Sequence, residues 1–322
     1  MRFFAFSILA CFAISNFPAQ AEVDQGLLNL VPAETKVIGG FQIEAGKVSP
    51  FGQYLVSRLQ IHDSDIQKLA DDTGFDPRRD LQEVIFASGA PAQDSEQHPP
   101  VVVIARGYFN PVKVKSQILA KGGHSESYRG VDLLTGPKNP NGSIAFLDTT
   151  LAVAGNSAMV RSVVANRQSP AVIDSQLEQK VHAVSDVNEA WFASILPGSQ
   201  LPGRLALQNQ DHQINGAAIQ SILQSSGGVH FATEGLQISF EALTRSDKDA
   251  QALSDVFRFF AGMVQMQREN QPEVASLASA LNGMQLTTGG STLHMSLVLP
   301  EKAVEQLLSE AGRPHATEKK AP

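Results

Sequence analysis

The stretch Tyr128–Val164, YRGVDLLTGPKNPNGSIAFLDTTLAVAGNSAMVRSVV, limits what this chain can fold into more than any other. Arg129-Gly130 can reverse the chain, and Val131–Thr135 has the composition of a short strand. Pro137 to Gly142 cannot hold a ladder, because proline lacks the donor and Asn-Gly readily takes positive φ. On either side of Asp148-Thr149, the pairs Ile144/Phe146 and Leu151/Val153 alternate as one-sided antiparallel strands do. Gly155-Asn156-Ser157 then supplies a turn and an N-cap oxygen to a helix whose Val160, Val163 and Val164 form one stripe.

The same grammar runs through the rest of the chain. Lys36–Ala45 has strand character, with Gly39-Gly40 as a weak point or bulge. Ser49-Pro50 opens a helix with Phe51, Tyr54, Leu55 and Leu59 inward, and a second helix runs from Asp63 to Gly74. Glu83–Gly89 and Pro100–Tyr108 read as interior strands around the polar loop Pro91–Pro99. Asn110-Pro111 opens a helix whose inner face is Val114, Ile118 and Leu119, and Ser175–Ser185 is another with Leu177, Val181 and Val184.

Past Glu189, Ala190–Leu196 is a strand, and Gln213–Gln224 reads as a helix stopped by Gly227-Gly228. Leu236, Ile238, Phe240 and Ala242 alternate with Gln237, Ser239 and Glu241 in the clearest hairpin strand. A long helix follows from Ser246 or Asp247 to about Asn270, carrying Leu253, Val256, Phe257, Phe260 and Val264 at helical spacing. Core packing accounts for that stripe better than a cofactor. Pro272 starts a helix ending near Gly283, Leu293, Met295, Leu297 and Leu299 share one face of a closing hairpin, and Glu301–Ala311 is the last helix.

A strand, a Pro or Asn, then an amphipathic helix recurs at Val101–Ala120 and Leu293–Ala311. The pattern predicts an α+β fold of mixed, largely antiparallel sheets, with amphipathic helices packed on one face and two tandem related halves. The halves are residues 22–188 and 189–311, followed by a disordered tail at 312–322.

Residues 1–21 read as an export signal: Met1-Arg2 is the basic start, Phe3–Phe12 is apolar, and Ala19-Gln20-Ala21 offers small residues to a signal peptidase. Cys11 follows Ile8-Leu9-Ala10 as in a lipoprotein box, but cutting there leaves too short an apolar run, so cleavage is expected before Glu22. Cys11 is the sole cysteine, so the mature chain would have neither disulfide nor thiolate metal site. Without Arg2, 24 of the 25 Lys+Arg face 32 Asp+Glu, a balance of −8 with no basic stripe. That argues against nucleic acid or anionic lipid as partner. No second apolar run reaches the length of a membrane span. The expectation is an exported protein, periplasmic or extracellular.

The chain resembles a family of uncharacterised exported bacterial proteins. The resemblance lies in LVPAETKVIGGFQIEAGKVSPFGQYL (Leu30–Leu55), TGFDPRRDLQEVIFA (Thr73–Ala87), VVVIARGYFNPVKV (Val101–Val114), the YRGVDLLT…SIAFLDTTLAVAG stretch and NEAWFAS (Asn188–Ser194). It implies a mixed-sheet fold and a cell-envelope location, with no known activity and no catalytic residue to carry over.

No chemical motif emerges. His62, His98, His124, His182, His212, His230, His294 and His315 stand singly, without HExxH. Asp63, Asp65, Asp71 and Asp72 lack EF-hand spacing, and Asp63 is better placed as an N-cap. No GxSxG or SxxK box is present; His124-Ser125 and Ser291 with His294 are neighbours in sequence only. Arg78-Arg79 could clasp a carboxylate or phosphate but fits a solvated turn better. No catalytic, cofactor-binding or metal residue is assigned, and no cofactor is expected. The preferred function is a non-catalytic module that binds a protein, peptide or apolar ligand with a sheet face. A hydrolase-type enzyme built from distant residues and a structural part of an envelope assembly are the alternatives.

Overall fold

Of the seventeen phenylalanines in the sequence, Phe41, Phe86, Phe146, Phe192, Phe231 and Phe240 lie on strands of one wide sheet. The computed structural model describes residues 23–49, 52–53, 64–91, 99–200, 216–233, 235–267 and 275–305. Its strands are β1 (Val37–Gln42), β2 (Leu81–Ser88), β3 (Val101–Gly107), β4 (His124–Tyr128), β5 (Val131–Thr135), β6 (Gly142–Phe146), β7 (Leu151–Asn156), β8 (Ala190–Ser194), β9 (Ile222–Ala232), β10 (Gly235–Thr244), β11 (Gln285–Gly289) and β12 (Thr292–Pro300). They form one antiparallel sheet in the order β11-β12-β10-β9-β8-β1-β2-β3-β7-β6-β5-β4. Outward from the central β8–β1 seam, β1-β2-β3 and β8-β9-β10 are each a meander, and each is flanked by a strand that returns after a helical excursion, β7 and β12.

The helices are α1 (Gln25–Leu28), α2 (Ile43–Val48), α3 (Ser64–Thr73), α4 (Pro77–Asp80), α5 (Pro111–Ala120), α6 (Ser157–Asn166), α7 (Ser175–Ser185), α8 (Gly216–Gln220), α9 (Asp247–Gln267) and α10 (Ala275–Leu281). Their ends follow the capping signals. Asn156 accepts hydrogen bonds from the Ala158 and Met159 N–H groups, Asn110 from Lys113, and Asp76 from Arg78. Gly74 ends α3 with φ +78°.

Helices pack on both faces rather than one. On the first face, Ile38, Ile85, Ile104, Val153 and Trp191 meet Leu27 of α1, Val160 and Val163 of α6, and Leu177 and Val181 of α7. On the second, Leu297, Leu299 and Ile238 meet Leu277, Ala280 and Leu281 of α10, while Ala242 and Leu293 meet Leu253 of α9. The α5 helix also lies on the second face, where Lys115 reaches Asp132 of β5 at 2.5 Å.

Several elements differ from the sequence reading. Gly39-Gly40 is no bulge, since β1 keeps unbroken register with β2 and β8, and the strand ends at Gln42, where α2 begins. The helix read over Gln213–Gln224 is only α8 within the described residues, and Gly227-Gly228 lies inside the eleven-residue β9. No residue of α5 is buried, and Leu119 is exposed. Tyr128 is the end of a strand, β4, that the alternation did not disclose. The helix expected over Phe51, Tyr54, Leu55 and Leu59 and most of the one expected over Glu301–Ala311 lie outside the described residues, although Ser49 Oγ does accept the Gly52 N–H at 2.8 Å.

Candidate functional site

The two glycine pairs mark where the sheet carries aromatic rings. On the second face, Phe240, Gly227, Phe192, Gly39 and Phe86 lie directly opposite one another across β10, β9, β8, β1 and β2. A β-carbon at Gly39 would overlap the Phe86 ring, and one at Gly227 would stand 3.0 Å from the Phe192 ring. On the first face, Trp191 lies between Gly40 and Gly228, with its indole across Gly40. Ring beside glycine is how a sheet accommodates bulky neighbours without splaying its strands.

The second-face row ends in open apolar surface. At one end Phe240 packs on Phe257 of α9, ring centres 5.6 Å apart. At the other, Phe86 is 40% exposed, and nearby Phe41 and Val101 are 37% and 42% exposed. Phe41 also approaches the Phe231 ring at 6.1 Å. Beyond β7 the aromatic character resumes in Phe146, Phe109 and Phe75, with centre spacings of 5.8 and 5.1 Å. Apolar side chains on the central strands β1 to β3, between helix-covered flanks, are a surface suited to apolar groups.

One end of the first face is polar. The cross-strand row that carries Gln42, Glu83 and Arg106 continues through Glu189 and His230. Glu83 accepts the Asp24 N–H at 3.2 Å, and Arg106 pairs with the Asp24 carboxylate at 2.5 Å. Burial pushes the Glu83 carboxyl up to about 7, further helped by Asp24 and opposed by that N–H and by Arg106. Glu189 accepts the Phe231 N–H at 2.8 Å and faces His230 Nδ1 at 3.2 Å. A carboxyl poised near neutrality is a candidate acid or base; it lies opposite Gln42 and Arg106, whose buried Nε2 and Nε have no hydrogen-bond partner among the described residues. An open groove of about 530 Å³ lies between α7 and β9–β10; Lys180 with Glu241 and Gln176 with Gln224 pair across it.

The residues considered from sequence are scattered. His230 and His294 face Glu189 and Glu241 separately, His124 begins β4, and His182 is in α7. His62, His98, His212, His315 and Asp63 lie outside the described residues. Asp65 falls in α3, Asp71 accepts from Gln67, and Asp72 pairs with Lys121 at 2.6 Å. Among the described residues, no three His, Cys, Asp or Glu side chains gather to hold a metal. The Arg78-Arg79 pair is not a bare solvated turn: Arg78 binds Asp76 and Arg79 binds Asp80, and these hydrogen bonds hold both carboxyls below their ordinary range. Ser291 offers its carbonyl to Thr244, not a hydroxyl to His294. Among the described residues the exposed phenylalanine and tyrosine rings are Phe41, Phe86, Phe259 and Tyr108. Gly-Gly pairs inside apolar strands next to Phe were the available signal.

The fold defines an α+β protein built on one open, wide antiparallel sheet with helices on both faces. The chain is similar to solved structures of TP0453. Crystal form III matches 90% of this chain and 100% of that chain at 13% identity and a TM-score of 0.51, and crystal form I matches 90% and 97% at 13% identity and 0.47. At that identity the likeness concerns the fold alone. No family model and no curated protein matches the chain.

Proposed function

We propose that this is an exported, non-catalytic binding module that holds an apolar ligand, or the apolar side chains of a partner, against the second face of its sheet. The carrying observation is the exposure of Phe41, Phe86 and Val101 on the central strands β1 to β3. Leaving such area wet forgoes roughly 25 cal/mol per Å², which an occupant would recover. Export is supported by the signal-like residues 1–21. A relation between residues 22–188 and 189–311 is supported by the matching connectivity on the two sides of the β8–β1 seam. On that reading β3 corresponds to β10 and β7 to β12, so the counterpart of Leu293–Ala311 is β7 with α6, not Val101–Ala120.

The test uses the mature chain from Glu22 with 1-anilinonaphthalene-8-sulfonate as the apolar probe. The folded protein is expected to enhance the probe's fluorescence. Phe41→Ser with Phe86→Ser should remove most of that enhancement while circular dichroism stays unchanged. An unaltered signal in the folded double variant sinks the reading.

A further inference from the structure

The amino end of the described chain is a strap across the first face. Val23, Leu27, Leu28, Leu30 and Val31 are buried in that core, and Asn166 of α6 fastens the far end by donating to the Leu30 and Val31 carbonyls at 3.0 and 3.1 Å. The near end is fastened through Asp24, which caps α1, pairs with Arg106 and donates its N–H to Glu83 Oε1 at 3.2 Å. The Leu27 and Leu28 N–H groups in turn bond the Asp24 carbonyl, so the turn of α1 hangs on this one residue.

Glu83 has partners within reach that it does not use. It lies directly opposite Gln42 of β1 on one side and Arg106 of β3 on the other, and β-carbons facing each other in this way stand roughly 4.5–5.5 Å apart. Gln42 Nε2 and Arg106 Nε are buried and have no hydrogen-bond partner among the described residues. A buried donor left unpaired is costly, and a carboxylate between the two is the acceptor that both lack. Burial most opposes a negative charge at Glu83; Asp24 from α1 opposes it too, and Arg106 from β3 favours it. Lys47 of α2, the helix packed on β2, is engaged with Glu44 and the Leu81 carbonyl. Glu189, beyond Gln42 in the same row, holds the Phe231 N–H and faces His230.

We propose that Glu83 is a proton-operated latch on this strap: protonated, it holds the Asp24 N–H, and ionised, it swings to Arg106 Nε and Gln42 Nε2 and frees the amino end of α1. The protonated carboxyl sits beside the Asp24 carboxylate without repulsion and still accepts the N–H. Loss of the proton puts two negative charges side by side. The single neutral N–H of Asp24 then competes with a cationic donor on one strand and an amide on the other. Asn166 is the hinge, so residues 23–28 lift while Leu30 and Val31 stay clasped. The Glu83 carboxyl, raised to about 7 chiefly by burial, sets the change across neutral pH, latched below and released above.

The experiment follows amide exchange in the ¹³C,¹⁵N-labelled chain from Glu22 between pH 6 and pH 8, corrected for the intrinsic rate, with the Glu83 carboxyl carbon titrated in parallel. Protection of the Asp24, Gly26, Leu27 and Leu28 amides is expected to fall about 10-fold or more with the midpoint of that carbon, while the amides of β3 and β8 keep theirs. Glu83→Gln, neutral and still able to accept the Asp24 N–H, should retain the protection at pH 8. A fall that persists in Glu83→Gln, as it would if the new amino terminus at Glu22 were the titrating group, overturns the proposal. So does a Glu83 carbon that titrates while the Asp24 amide stays protected, or one that does not titrate in this range. Those two readings come from the parent chain and stand whether or not Glu83→Gln folds.

Discussion

The indole of Trp191 lies across Gly40, so a methyl at residue 40 would stand 2.5 Å from the ring. Backbone on one side and the first-face core on the other leave Trp191 little room to yield. Gly40→Ala is therefore expected to cost about 1–3 kcal/mol in urea unfolding, as overpacking does; an unchanged midpoint would show that the indole moves freely. Glu83 raises a different residue-scale question. Its carboxyl titrates at about 7 in the folded chain against an ordinary 4.5, so the folded state binds that proton more tightly than the unfolded one. Its stabilising contribution is complete below pH 4.5 and is lost as pH rises through 7. Glu83→Gln is expected to flatten the stability slope across that window and to stabilise the protein at pH 8 by about 1–2 kcal/mol, solvent screening being allowed for. A variant no more stable than the parent at pH 8 would show that the ionised form is well served by Arg106.

The helix α6 depends on one side chain for its start. Asn156 closes β7 and caps α6 through Ala158 N–H at 3.0 Å and Met159 N–H at 3.4 Å. The Val160, Val163 and Val164 stripe it launches is buried against β3 and β6. Asn156→Ala should destabilise by about 1 kcal/mol in the same unfolding experiment, and Asn156→Asp, which keeps the acceptor, by much less. Equal losses for both would locate the role of Asn156 in the strand and not in the cap. By contrast α5 has a good cap in Asn110 and yet no residue of it is fully buried: Val114 and Ile118 are half-buried beside α3, β4 and β5, while Val112 and Leu119 are exposed. Capping sets where a helix begins; only the neighbouring elements set whether its stripe is used.

At the scale of the whole molecule, the β8–β1 seam is continuous with the core and is not a docking surface. Trp191 and Ala193 of β8 belong to the cluster that contains Ile38, Ile85 and Leu177, and α7, ahead of the seam in sequence, packs on β8 and β9. Residues 22–188 and 189–311 expressed apart are therefore expected not to fold singly, by circular dichroism and amide exchange, and to regain structure when mixed. Two independently protected halves would show instead that the seam joins two finished domains.

The sequence by itself determined much of the element grammar: one-sided alternation at Leu236–Leu243, Asn and Asp caps, and the antiparallel α+β class, because these depend on contacts only a few residues apart; at β6 the alternation misled, since Ser143 and Ala145 are the buried positions and Ile144 and Phe146 are on the other face from Val153. It also held the signals for turns such as Arg129-Gly130, where φ is +49° and +78°. Tertiary structure decided what pairing across the sheet controls. Gly227-Gly228 reads locally as a helix stop, yet it pairs with β8 and β10 inside β9, where the Phe192 ring lies beside Gly227 and the Asn188 side chain beside Gly228. Likewise, the exposed Phe41 and Phe86 and the raised titration of the Glu83 carboxyl arise from strand order and burial. Those depend on residues far apart in the chain, and local pattern carries no information about which distant strand will lie alongside.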